Sequence, residues 1–321
     1  MLSGSTGLFY LVLVLLICSS PRSHAQCFSA ANPVGGTTNL LVLDKKTLRT
    51  ISFFRHAYSN KYYEGNSPSD FDQVKQANYN YLGWILAYGV SQKFTLETEW
   101  GYFFNKSYHY NLDPIYIQRG RGMNNTVISG KFRLVTDYQR RFFLAGSAGI
   151  KVPLSPDPVE KDGVVLPVDL QPSTNALGSV LQGFLVKENS LSGMRYFMVS
   201  RFEMNLPDRN GYKLGKALIT SVYVSKHLPD HWLPGDWTTM VQVRDEIRSP
   251  NSLDGITQAA TGGHLLLVSP QVNYSIKDKW NLSLMADIPV YQYFKGTQLA
   301  YTYALTLNFS RDIDFYMLGT N

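Results

Sequence analysis

The chain has 321 residues, with 30 Lys and Arg against 24 Asp and Glu, and its 13% aromatic content stands beside only 17% charged residues. The formal charge of +6 is modest and not clustered around any nucleic-acid motif, which argues against DNA or RNA as a partner. Helix-period patterning is almost absent after the first 25 residues, which argues against an ordinary helical domain.

Leu8 to Ile17 is an unbroken apolar run, and Ser23-His24-Ala25 supplies a small-x-small site. This predicts a secretory signal peptide over 1–25, cleaved after Ala25, with only the terminal amine as its positive charge. The residues before Cys18 and Cys27 are Ile17 and Gln26, where lipoprotein processing requires a small residue. Cleavage leaves Cys27 as the single cysteine, so an internal disulfide is excluded. No later apolar stretch reaches the ~18 residues of a transmembrane helix. Residues 26–47 read as an irregular segment, with Asn32-Pro33 and Gly35-Gly36, placed in the periplasm or filling a lumen.

From there the chain becomes a series of segments with period-2 alternation separated by turn residues. Strands are predicted over 48–58, 78–90, 94–105, 126–138, 141–153, 176–186, 194–205, 212–225, 237–247, 264–276, 280–292 and 297–309. Twelve is an even number, as bacterial barrels require. In the last segment Leu299, Tyr301, Tyr303, Leu305, Leu307 and Phe309 share one face, against Gln298, Ala300, Thr302, Ala304, Thr306 and Asn308. A soluble sandwich would alternate in the same way. Connection lengths favour a barrel: the odd-numbered ones, 59–77, 106–125, 154–175, 206–211 and 248–263, are mostly long, whereas the even-numbered 91–93, 139–140, 187–193 and 277–279 are mostly short. The connections 226–236 and 293–296 depart from that rule. Tyr79, Tyr81, Tyr102, Phe103, Phe104, Tyr108, Tyr110, Tyr291, Tyr293 and Phe294 fall near the expected outer rim, where aromatic girdles form. The expected architecture is an all-β, up-and-down transmembrane barrel over 48–309 in the outer membrane of a Gram-negative bacterium, with a tail at 310–321.

Several segments carry a family resemblance: Asn32-Pro33-Val34-Gly35-Gly36-Thr37, Thr47-Leu48-Arg49 leading into Phe53-Phe54-Arg55, Tyr62-Tyr63-Glu64-Gly65, and the alternating last strand. Together they resemble the outer-membrane transporter barrels grouped with the meta-cleavage pathway of phenol degradation. The resemblance implies a small pore-like barrel with a poorly defined solute. In such barrels a terminal aromatic of the last strand is read by the barrel-assembly machinery. Phe309 plays that part here, although twelve residues follow it.

Catalytic patterns are few. His56-Ala57-Tyr58-Ser59-Asn60 resembles the His-x-Ser-Asn-Gly pattern of outer-membrane phospholipase A, but its spacing is three and Lys61 replaces the glycine. On a regular strand His56 and Ser59 point to opposite faces, and a bulge would be needed to join them. His227 and His231 are four apart, but Pro229 and Pro234 prevent a helix from uniting them as metal ligands. No cofactor is implied.

Charges remain on presumed lumen faces, because a charge facing lipid costs ~2–4 kcal/mol near the midplane. Glu97 and Glu99 share a face, as do Lys131 and Arg133; Arg195, Arg201 and Glu203 form a third row, and Arg244 and Glu246 a fourth. The residues expected to line the lumen and set its field are Glu97, Glu99, Lys131, Arg133, Arg201, Glu203 and Arg244. In the first strand either Ser52, Phe54 and His56 or Arg49 and Arg55 point inward. The expected function is passive movement of small polar or aromatic solutes, with outer-membrane lipid as the surrounding partner. The alternatives are a lipid-active hydrolase and a structural or adhesive barrel without conductance.

Overall fold

The computed structural model describes residues 41–155, 157–161, 163–189, 192–228, 235–276 and 280–315. The expected signal peptide, Cys27, most of the irregular segment, His231 and the end of the tail lie outside the described residues.

Twelve strands form the wall: β1 Thr47–Ser59, β2 Val74–Ser91, β3 Phe94–Tyr110, β4 Asn125–Asp137, β5 Phe142–Pro153 and β6 Gly178–Asn189, followed by β7 Met194–Asn205, β8 Ala217–Leu228, β9 Asp236–Arg248, β10 Gly263–Ile276, β11 Trp280–Ala300 and β12 Tyr303–Asp314. Each pairs antiparallel with the next, and β12 pairs with β1 from Thr47↔Asp314 to Tyr58↔Tyr303, so the barrel is closed. Closure leaves no unpaired edge to face lipid.

The direction of the alternation separates a membrane barrel from a soluble sandwich. On β8 the buried residues are Ala217, Ile219, Ser221, Tyr223 and Ser225, while Leu218, Val222 and Val224 are exposed. On β9 Gln242 and Arg244 are buried, while Val241 and Val243 are exposed. On β12 Thr306 and Ser310 face inward, and Leu305, Leu307 and Phe309 outward. Polar groups inside and branched aliphatic groups outside invert the soluble pattern and match a wall bathed in lipid. The protein is an outer-membrane β-barrel.

The start of β1 and the end of β12 meet at the end with the short connections, where Phe315 N–H donates to the Lys46 carbonyl at 3.1 Å. The long connections gather at the other end, which is the external one by the asymmetry of such barrels. There 61–65 pairs with 67–69 and with the 294–300 part of β11, 117–123 pairs back on β3, and 212–213, 252–253 and 256–257 form a small sheet. A 3-10 turn, Val168–Leu170, lies in the connection 154–177.

Three expectations need correction. The last strand does not start at 297: residues 297–300 end β11 and pair with 61–64, and β12 runs on to Asp314. Leu299 and Tyr301 are accordingly buried, not part of the lipid face. Of the expected rim aromatics, Tyr79, Tyr81, Phe103, Tyr108 and Phe294 are buried, while Phe104 and Tyr291 are exposed. Adjacent residues of a strand point to opposite sides, so a run such as Tyr102-Phe103-Phe104 cannot all face lipid. On β1 the inward set is Ile51, Phe53, Arg55, Ala57 and Ser59.

Candidate functional site in the barrel lumen

Inward-facing side chains meet across the middle of the lumen in a charged layer. Arg55 from β1 and Arg244 from β9 both reach Asp287 on β11, at 2.6 and 2.8 Å. Asp287 also accepts a hydrogen bond from the Ser269 hydroxyl of β10. The remaining Arg55 donors are taken by the Tyr79 hydroxyl at 2.9 Å, Thr306 Oγ1 at 3.0 Å and the Tyr301 hydroxyl at 2.7 Å. A buried guanidinium is tolerated only with its donors matched in this way. Arg244 Nε lies 2.9 Å from Glu246 Oε1, but neither atom makes a hydrogen bond, so the contact is an ion pair with poor angular geometry.

In a second buried pair, Lys131 of β4 meets Glu97 of β3 at 2.6 Å, and its ammonium sits 4.2 Å from the centre of the Phe184 ring. Arg55, Lys131 and Asp287 are 0% exposed, Arg244 1% and Glu97 2%, so the layer is almost wholly shielded from solvent. The layer holds three cations (Arg55, Arg244, Lys131) and three anions (Asp287, Glu246, Glu97). That balance follows from enclosure in a low-dielectric wall, where an unmatched charge is costly.

A cavity lies on either side. The external chamber, about 390 Å³, is lined by Tyr81, Phe103, Glu99, Arg201, Glu203 and Lys151 among others. Its charges again alternate: Arg201 Nη1 donates to both Glu99 oxygens at 3.0 and 3.1 Å, Arg201 Nε to Glu203 at 2.7 Å, and Lys151 to Glu203 at 2.9 Å. The connection 154–177 roofs this chamber. Lys106 donates to the Gln171 carbonyl at 2.7 Å, the Tyr108 hydroxyl to Asp169 at 2.9 Å, and Asn125 Oδ1 accepts from the Ser173 and Thr174 hydroxyls. The second chamber, about 550 Å³, opens among short-turn-end residues including Thr47, Glu188, Asp312 and Asp314. The described stretch Leu41–Asp44 runs along its wall, where Leu43 N–H donates to Thr95 Oγ1 at 2.9 Å. Arg55, Arg244, Asp287, Lys131 and Glu97 line neither chamber and make up a septum of buried charge inside the wall.

Of the residues expected to line the lumen, Glu97, Glu99, Lys131, Arg201 and Arg244 are buried inside the wall, and Glu203 is inside and partly exposed. Arg133 is set apart, half-buried at the short-turn end beside the bulge of β4, without an ion pair among the described residues. The centre of the layer, Asp287 and Arg55, was not among those candidates. Asp287 stands on the polar face of β11, and only register across β10, β12 and β1 makes it the shared counter-ion. His56 and Ser59 are not brought together: β1 has no bulge, the His56 ring contacts Asn80 Oδ1 at 2.8 Å on the outer face, and Ser59 is fully buried on the inner one.

No protein-family model matches this sequence, and no curated protein matches it. Solved structures do. An outer membrane channel from Pseudomonas putida F1 superposes with a TM-score of 0.68 at 12% identity, covering 87% of this chain and 100% of that one. The β domain of the Bordetella autotransporter Brka follows at a TM-score of 0.50 and 8% identity, covering 84% of this chain and 100% of that one. At such identities the likeness is one of fold.

Proposed function

We propose that this barrel is a passive outer-membrane channel in which small polar or aromatic solutes pass from the external chamber to the lower one. The observation that carries this reading is the pair of chambers, of about 390 and 550 Å³, one towards each end of the barrel. Arg55, Arg244 and Lys131 are buried inside the closed wall, so a path requires rotamer changes of these side chains and not unfolding of the wall. Cavities of this size suit one small molecule. Tyr81 and Phe103 offer ring faces, and the Glu99–Arg201–Glu203–Lys151 row offers donors and acceptors of both signs. Balanced charge gives weak selection between anions and cations. The likeness to a barrel described as a channel supports the same reading. Hydrolysis has less support, because His56 and Ser59 occupy opposite faces of β1.

Swelling of proteoliposomes tests the proposal. A monocyclic aromatic acid should enter and swell the vesicles, while a disaccharide should enter far more slowly. Vesicles that admit neither, with a folded and heat-modifiable barrel, would overturn it.

A further inference from the structure

The outer surface of the barrel carries a polar patch that solute passage does not require. On β1, β2 and β3 the outward row Phe54, Leu82 and Tyr102 is apolar or aromatic. The next outward residues towards the external end are His56, Asn80 and Asn105, and then Tyr58, Asn78 and Ser107. All but Tyr58 form one chain of hydrogen bonds. The His56 ring contacts Asn80 Oδ1 at 2.8 Å, Asn80 Nδ2 donates to Asn105 Oδ1 at 2.5 Å, and Asn105 Nδ2 donates to Asn78 Oδ1 at 2.6 Å. The Ser107 hydroxyl donates to the same Asn78 oxygen at 3.1 Å. Each amide nitrogen carries two N–H groups, so spare donors remain along the row.

Residues 117–123 continue this face. Lys106, which points inward to Gln171, stands opposite Gly120, whereas the outward Ser107 stands opposite Arg119. A Cβ on Gly120 would lie 1.8 Å from the Leu170 carbonyl oxygen beneath, so Gly120 faces the lumen and its neighbours Arg119 and Arg121 face out. Both arginines are exposed, and neither makes an ion pair among the described residues. The level is marked by Tyr58 and Tyr303, whose rings stack at 5.6 Å on the outer wall. Such aromatics sit where headgroups begin.

We propose that this face is a docking site for the phosphorylated sugar headgroup of an outer-leaflet glycolipid. Arg119 and Arg121 hold the phosphate through charge-assisted hydrogen bonds, and the spare amide donors of Asn78, Asn80 and Asn105 meet sugar hydroxyls. A second copy of this chain fits less well, because a two-fold contact through this face would set the arginines against their own counterparts. A carboxamide row just above the apolar band, ending in exposed guanidinium groups, complements a ligand that presents hydroxyls and phosphate at the membrane surface.

Native mass spectrometry of the detergent-purified full chain tests this with three probes: bisphosphorylated lipid A, the same lipid dephosphorylated, and phosphatidylglycerol. The expected result is retention of one lipid A per barrel, weakened about tenfold in an Arg119→Ala/Arg121→Ala variant and by a similar factor for the dephosphorylated lipid. Arg311→Ala, whose side chain lies over Trp280 on the outer face at the opposite end, should bind lipid A like the unaltered protein. Equal retention by the double variant would overturn the proposal. So would equal retention of phosphatidylglycerol, which would make the face a general phosphate contact. Since Arg119 and Arg121 lie outside the lumen, solute flux through the double variant should be unchanged, which separates this test from that of the channel.

Discussion

Asp287 on β11 and Arg55 on β1 meet at 2.6 Å behind the intervening β12, and neither side chain has any exposed surface. Thr306, the β12 residue in register with Arg55, closes the contact by accepting a hydrogen bond from it at 3.0 Å. One carboxylate thereby serves two guanidinium groups from strands on either side of it.

Asp287→Ala should therefore be among the most damaging single changes in the barrel. It leaves Arg55 and Arg244 buried without their shared anion, which typically costs 3–5 kcal/mol, so a loss of about that size is expected. Arg55→Met combined with Asp287→Leu should recover part of it, because it removes one of the two cations orphaned by the loss of Asp287, while Arg244 keeps Glu246. Urea unfolding of the refolded barrel in vesicles measures both. Equal stability of Asp287→Ala and the unaltered protein would show that the septum is not a stabilising layer.

The charged row of the external chamber predicts a change in selectivity. Glu99→Gln removes a negative charge while Arg201 and Lys151 stay, so the reversal potential under a salt gradient should move towards anions. Arg201→Met should move it towards cations. Shifts in the same direction for both variants would contradict a path past this row.

The roof should loosen when its tethers are cut. Asn125 Oδ1 accepts from two hydroxyls, and from the Thr174 N–H at 3.3 Å. Asn125→Ala leaves those donors to find water, a cost of about 1–3 kcal/mol. Amide exchange across residues 168–176 should quicken, with little change in the wall strands. Unchanged exchange would mean that packing of Leu166 and Leu170, not Asn125, holds the roof down.

Two glycines act as seats for rings inside the wall. A Cβ on Gly83 would fall 2.2 Å from the Phe53 ring, and one on Gly101 would fall 2.1 Å from the Tyr81 hydroxyl. Gly83→Val should push Phe53 into the lumen and destabilise the barrel by about 1–3 kcal/mol. Gly183→Val is the control, since nothing lies within 4 Å of a Cβ there. Comparing the two by heat modifiability on gels checks whether the space under Phe53 matters.

The sequence carries the wall well because lipid on one side and a polar lumen on the other impose a period of two that no loop imitates for long. It fails where alternation continues but the pairing partner changes. Leu299, Tyr301 and Tyr303 keep one parity, yet 297–300 pair with 61–64, and Tyr301 is instead tied to the Gln292 amide, which accepts from its N–H and donates to its carbonyl. Periodicity does not report a partner so distant in sequence. The same reason hides the septum: Glu97, Lys131 and Arg244 are conspicuous as charges in alternating strands, but Arg55 and Asp287 become its centre only through register across four strands. Facing on β1 stays open in the sequence because Phe53 and Phe54 are both apolar, and burial of Phe53 decides it.

The central claim, that solutes cross the septum, is tested most directly by single-channel current through the Glu97→Ser/Lys131→Ser variant. Removing both members of the 2.6 Å pair leaves no orphan charge and opens space in the middle of the lumen. The account predicts small steady currents for the unaltered barrel and a severalfold larger conductance for the double variant. Silent bilayers for both, with each barrel folded, would contradict it and leave a closed barrel in place of a channel.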